Sequence, residues 1–121
     1  MNLAAYLRRS TAKQDQSIET QRRLLLDWAH SNGHQITAWY IEEVYSGDVP
    51  LEDRTASAQL LSDLRDRRNR PFDGILLVRG DRLFRNLAEE IAGRRILDKA
   101  KCVIYTLDGL ADWSTPEREF T

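Results

Sequence analysis

Two hydrophobic periods alternate along the chain. Four short apolar runs, at 2–7 (NLAAYL), 35–42 (QITAWYIE), 73–78 (DGILLV) and 101–107 (KCVIYTL), are rich in aliphatic, aromatic or β-branched residues and predict strands. The third is apolar almost throughout, as expected for a strand buried on both faces of a sheet. Between the runs the apolar positions recur at helical spacing. Over Ser17–Ser31 a stripe of Ile18, Leu24, Leu25 and Trp28 is predicted to face inward, with Arg22, Arg23 and Asp27 outward and Gly33 as the stop. Over Ala56–Arg68 the stripe is Leu60, Leu61 and Leu64, ended by Pro71. Over Asn86–Lys99 it is Ala88, Ile91, Ala92 and Leu97, weakened by the poor helix propensity of Gly93.

The resulting order is βαβαβαβ. It predicts an α/β fold: a largely parallel sheet of about four strands with helices on both faces. Ligands of such sheets gather outside the carboxyl ends of the strands. Three arginine-bearing segments follow the first three strands: RRST (8–11), EVYSGDVPLEDR (43–54) and RGDRLFR (79–85). They are expected to converge on one edge of the sheet.

Composition narrows the class. With 121 residues, 41% hydrophobic and 31% charged, the chain suits one soluble domain with one core. Neither a run long enough to cross a bilayer nor an N-terminal secretory pattern is visible, so no membrane partner is expected. A single cysteine, Cys102, excludes an internal disulfide and fits a reducing, cytoplasmic setting. The net charge of −1 gives no overall field for nucleic acid, yet 15 arginines stand against 3 lysines. Arginine presents a planar fork suited to phosphate oxygens, so position rather than number must decide.

Ser10 follows two guanidiniums. In an extended strand Arg8 shares its face and Arg9 takes the other, so Arg8 is the better candidate to hold a phosphate oxygen or favour the alkoxide. Asp81, Arg82 and Arg85 follow the third strand; if Leu83 starts a helical turn, the two arginines share a face. Two cations beside a hydroxyl can stabilise charge on a phosphoryl group in transit, and Asp81 can orient an arginine or give a proton to a leaving oxygen. Arg54 ends a turn-rich loop, and Gln21 stands early in the first helix, able to bond a phosphate or a neighbouring loop. Taken singly, each has a plain structural reading: hydroxyls satisfying a loop, a surface Asp–Arg pair, solvated Arg and Gln. His30 and His34 are assigned to the surface, and Trp28, Trp39, Tyr40 and Cys102 to the core. No glycine-rich phosphate loop, HExxH or CxxC occurs.

In order along the chain stand Y-x-R-x-S at the end of strand one, S-I-x-x-Q in the first helix, S-G followed by an arginine, and D-R-L-x-R after strand three. This combination resembles the catalytic domain of the serine recombinases, the resolvase/invertase family. RSTAKQDQSIETQRR and SGDVPLEDR resemble the large serine integrases and transposases more than the small resolvases. Essentially the whole chain, 1–121, takes part. The resemblance implies that Ser10 attacks a DNA phosphodiester to form a 5′-phosphoserine link, with Arg8, Arg54, Arg82 and Arg85 as active-site arginines, Asp81 as the acid and Gln21 as the helix glutamine. It implies no metal and no nucleotide cofactor. Double-stranded DNA and further copies of the chain, as dimer and synaptic tetramer, are the implied partners. Glu43, Gly80 and Phe84 depart from the family pattern. STPERE (114–119) opens like a helix, so the chain reads as a fragment that ends before a dimerisation helix and a DNA-binding part, with Trp113 at that junction. A non-catalytic phosphate- or nucleotide-binding, or regulatory, α/β module is the alternative on the same fold.

Overall fold

The structure, a computed structural model, describes residues 1–9, 17–43, 55–66, 68–84 and 86–109. Strands β1 (Asn2–Arg9), β2 (Gln35–Glu43), β3 (Gly74–Leu77) and β4 (Val103–Thr106) alternate with helices α1 (Ile18–Ser31), α2 (Thr55–Arg65) and α3 (Leu87–Lys99), and a 3₁₀ turn at Gly80–Arg82 leads into α3. All strand pairs are parallel and the spatial order is β2-β1-β3-β4. The α/β architecture read from the sequence is therefore the one adopted. β1 is followed by its neighbour on one side, whereas β3 and β4 lie on the other. The topological switch point falls between β1 and β3.

The sheet is covered on both faces, giving three layers. On one face Leu3, Ala5, Leu7, Leu76 and Val78 pack against Leu25 and Ala29 of α1. On the other, Ala4, Tyr6, Tyr40, Ile75 and Leu77 pack against Leu60 and Leu64 of α2 and Leu97 of α3. A bulge resets which residues of β2 face each core. Leu3 pairs with Ile36, but Ala4 pairs with Ala38, so Thr37 is the extra residue. Its hydroxyl donates to the Pro71 carbonyl at 2.6 Å. The shift sends Tyr40 and Glu42 to the α2 face while Ile36 and Trp39 stay on the α1 face.

At the amino ends, main-chain bonds link all four strands in order: Gln35 N–H to the Met1 carbonyl, Asp73 N–H to Asn2 and Val103 N–H to Asp73. No side chain takes part in these three links.

Two helical stripes differ from the sequence expectation. In α1 the buried line is Gln21, Leu25 and Ala29, one turn apart, with Ile18 and Trp28 flanking it, while Leu24 is 37% exposed. In α3 Ala88, Ile91 and Ala92 face solvent, and Gly93 and Leu97 face the core. The cause is Phe84, whose ring lies over Gly93: a Cβ there would overlap the ring, with Cζ 3.0 Å away. The helix is turned to set its one residue without a side chain against that ring. The second helix ends at Arg65 rather than Arg68, and Arg70 bonds the Leu64 carbonyl near its end and the Ala100 carbonyl after α3. His34 is half-buried rather than a surface residue, its ring stacked on Trp28 at 5.6 Å and tilted against Tyr105 at 5.3 Å. Trp28 and Trp39 are likewise half-buried at the core's margin, Tyr40 is buried, and Cys102 is buried just ahead of β4.

Candidate active site

β1 ends in Leu7, Arg8 and Arg9. Strand alternation turns Arg8 toward the α2 face and Arg9 outward; Arg8 is 6% exposed and Arg9 exposed. The segment after β3 closes a 3₁₀ turn, with the Gly80 carbonyl accepting from the Leu83 and Phe84 N–H groups. Leu83 and Phe84 then drop into the core, and Arg82, 5% exposed, is held beside β1. α3 starts only at Leu87, with Asn86 as cap, so Leu83 does not open a helix.

Arg8 and Arg82 grip each other's backbone. Arg8 Nε donates to the Arg82 carbonyl at 3.0 Å, and Arg82 Nη1 donates to the Arg8 carbonyl at 3.3 Å. Gln21 Nε2 adds a third bond, to the Arg8 carbonyl at 3.1 Å. Gln21 is fully buried, and its position in the first turn of α1 follows from the Ser17 cap, whose hydroxyl accepts from Thr20 N–H. Burying a guanidinium is costly unless its donors are used, and each such bond is charge-assisted. Two permanently charged groups are thus fixed at the switch point between β1 and β3, where this architecture collects ligands.

One further buried charged group stands at this end, and the sequence reading gave it no part. Glu42 is 2% exposed and pairs in register with Arg8 across β1 and β2. Its Oε1 accepts from the Ser57 N–H at 2.8 Å, in the first turn of α2. Two signals in the sequence point to it. Strand alternation puts Glu42 on the face of Tyr40, and α2 starts without an acid in its first turn.

The structure brings Arg8, Arg82 and Gln21 together. Asp81 lends its backbone to the 3₁₀ turn beside them. Ser10, Arg54 and Arg85, the side chains of Asp81 and Glu43, and the 114–119 helix opening with Trp113 lie outside the described residues. Ser10 is two residues beyond Arg8 in the chain, Arg54 directly precedes α2, and Arg85 follows Phe84. A hollow of about 280 Å³ between α2 and α3, lined mainly by Leu60, Leu64, Phe84, Ile96 and Leu97, is apolar and separate from these charges.

Comparison with known proteins settles the family. The family model described as Resolvase, N terminal domain, matches residues 3–121. The chain belongs to this family. It is a serine recombinase catalytic domain of the resolvase type. The N-terminal catalytic domain of TP901-1 integrase superposes on 99% of this chain and 87% of its own at 28% identity, with a TM-score of 0.83. The C-terminal catalytic domain of ISC1926 TnpA, an IS607-like serine recombinase, shares the fold at 21% identity and a TM-score of 0.72, over 88% of this chain and 69% of its own. A resolvase-family site-specific recombinase from Streptococcus pneumoniae shares it at 20% and 0.74, over 93% and 75%. No curated protein matches the chain significantly. Among the described residues of this recombinase domain, no helix is long and apolar enough to cross a membrane.

Proposed function

We propose that this domain, within its full-length protein and not as residues 1–121 alone, cuts and rejoins double-stranded DNA by transesterification on Ser10. The Ser10 oxygen attacks a backbone phosphorus, the bond from phosphorus to the 3′-oxygen breaks, and the products are a 5′-phosphoserine diester and a free 3′-hydroxyl. Attack by a 3′-hydroxyl on the phosphoserine reverses the step. One phosphodiester is exchanged for another, so joining needs no external energy source. Arg8, Arg54, Arg82 and Arg85 stabilise the negative charge on the transferring phosphoryl oxygens, the role a metal takes elsewhere. Asp81 orients an arginine or protonates the leaving oxygen. Gln21 acts on the Arg8 carbonyl and thereby sets the end of β1, two residues before the nucleophile.

The observation that carries this reading is the reciprocal clasp of Arg8 and Arg82 at the switch point. It supports a phosphate site there because the two segments flanking the charges also carry Ser10 and Arg85. A nucleotide- or phosphate-binding module of this architecture usually carries a glycine-rich turn after its first strand, where this chain has RRST.

Residues 1–121 are read as the catalytic domain, working in the cytoplasm as a dimer on each DNA site and a tetramer at synapsis. A net charge of −1 gives it little sequence-independent grip on DNA, so grip comes from sequence outside it. The test incubates the full-length protein with nicked suicide duplexes tiled across the DNA flanking its gene. A Ser10-dependent covalent adduct on the 5′-phosphate end of the break is expected, absent in Ser10→Ala. An adduct that persists in Ser10→Ala, or none with any duplex, overturns the proposal.

A further inference from the structure

We infer that Phe84 is a positioning residue for Arg82, an inference that rests on the function proposed above. The 3₁₀ turn that carries Arg82 is gripped from two sides. Toward β1 the grip is polar: Arg8 Nε donates to the Arg82 carbonyl, and Arg82 Nη1 donates to the Arg8 carbonyl. Toward α3 the grip is apolar. Phe84 is 7% exposed, and its ring occupies the notch that Gly93 leaves in α3. Glycine is a poor residue for a helix interior, and here its missing side chain is the space the ring fills.

The ring is tied to the turn through the backbone. The Leu83 and Phe84 N–H groups both donate to the Gly80 carbonyl, so the residue anchored in α3 also closes the turn around Arg82. Two Cα steps of about 3.8 Å separate Phe84 from Arg82, and a shift of the ring is passed to the Arg82 backbone over that distance. Leu83 and Phe84 also border the apolar hollow of about 280 Å³ between α2 and α3. The core leaves the ring room on the hollow side, and the Gly93 notch decides where it rests. An arginine that must meet a transferring phosphoryl oxygen tolerates little such play, because a misplacement of about 1 Å can cost about 100-fold in rate.

The test compares Phe84→Leu, Gly93→Ala, Phe84→Leu/Gly93→Ala and a core control, Ile104→Val, in the full-length protein. Single-turnover adduct formation is measured at saturating DNA, beside DNA affinity and thermal midpoints. Phe84→Leu and Gly93→Ala are each expected to slow the adduct about tenfold or more, with DNA affinity within about twofold of the parent. The double variant is expected to return the midpoint and leave the rate low, because leucine fits beside the new methyl without seating the turn. Ile104→Val, in the same core but on β4, is expected to lower the midpoint and keep the rate within about twofold of the parent. A rate within about twofold of the parent in Phe84→Leu, recovery of rate along with midpoint in the double variant, or equal slowing in Ile104→Val overturns the inference. Amide exchange of Leu83 and Phe84, read by mass spectrometry, needs no DNA. It is expected to speed up about tenfold or more in Phe84→Leu while Leu76 and Leu77 keep the parent's rates. Unchanged exchange at Leu83 and Phe84, or the same acceleration in β3, overturns the inference. If the parent forms no adduct, the proposed function fails while the exchange still judges Phe84.

Discussion

The two ends of the sheet are held by different chemistry. At the amino ends, three backbone hydrogen bonds join the four strands in spatial order. At the carboxyl ends the β1–β2 ladder runs on to Arg9 and Glu43, and Arg8, Arg82, Gln21 and Glu42 add links of a second kind, each from a side chain to a backbone group of another element. A backbone bond survives most substitutions, because every residue but proline supplies its donor and acceptor. A link made by a guanidinium or a carboxylate is lost with the side chain. The three amino-end links therefore leave the residues that make them free to vary, and the side-chain links at the carboxyl end specify theirs.

The largest effect should come from the clasp. Arg82→Ala removes a guanidinium donor and a proposed phosphate ligand, and adduct formation is expected to fall about 100-fold or more. Stability should drop by about 1–3 kcal/mol, read by urea unfolding. An amino-end substitution of equal effect on the adduct would break the contrast.

Gly93→Ala tests how the 3₁₀ turn is seated. The new methyl meets the Phe84 ring, and overpacking of this kind costs about 1–3 kcal/mol, against about 1 kcal/mol gained in helix propensity. Phe84→Leu in the same chain should recover the loss. Equal midpoints for Gly93→Ala and the parent would show the ring free to move.

Tyr40→Phe should cost about 1 kcal/mol, because the Tyr40 hydroxyl donates to Asp63 Oδ2 at 2.6 Å. Burial first, and then Asp63, push the phenol well above its ordinary 10.0. The unfolded chain thus loses its proton first, and the stability held below pH 10.0 falls as pH rises past it. The phenylalanine variant should show a shallower alkaline decline.

The smallest effect belongs to the amino end. Burial, and secondarily the N-terminal ammonium, lower the pKa of His34 from 6.5. The unfolded chain takes up the proton first, so stability present above pH 6.5 is lost as pH falls. His34→Phe keeps the stack on Trp28 and should remove that slight acid-side loss in midpoint. It should leave adduct formation unchanged, and a slower adduct would tie this end to the chemistry.

The fold was legible because hydrophobic period is a local property: four strands and three helices fall where the runs predict them. The facing of α3 was not, because it depends on Phe84, a residue outside the helix. Leu24 misled for a related reason: a polar residue, Gln21, holds the buried line of α1 that a stripe of apolar residues was expected to fill. At the site, the loops bearing Arg8 and Arg82 could be assigned to one edge from strand order alone. The clasp could not, since it joins side chains to carbonyls 74 positions apart. Glu42 escaped notice because its partner is a backbone group, which leaves no mark in a list of charged residues.

The bond between Glu42 and α2 also bears on how the chain assembles. α1 and α3 have capping acceptors, Ser17 and Asn86, directly before their first residues and can nucleate locally. The Ser57 N–H of α2 meets Glu42 only once β2 has been laid down. Pulse-labelled hydrogen exchange during refolding should protect the amides of α2 no earlier than those of β2, and earlier protection in α2 would refute that order.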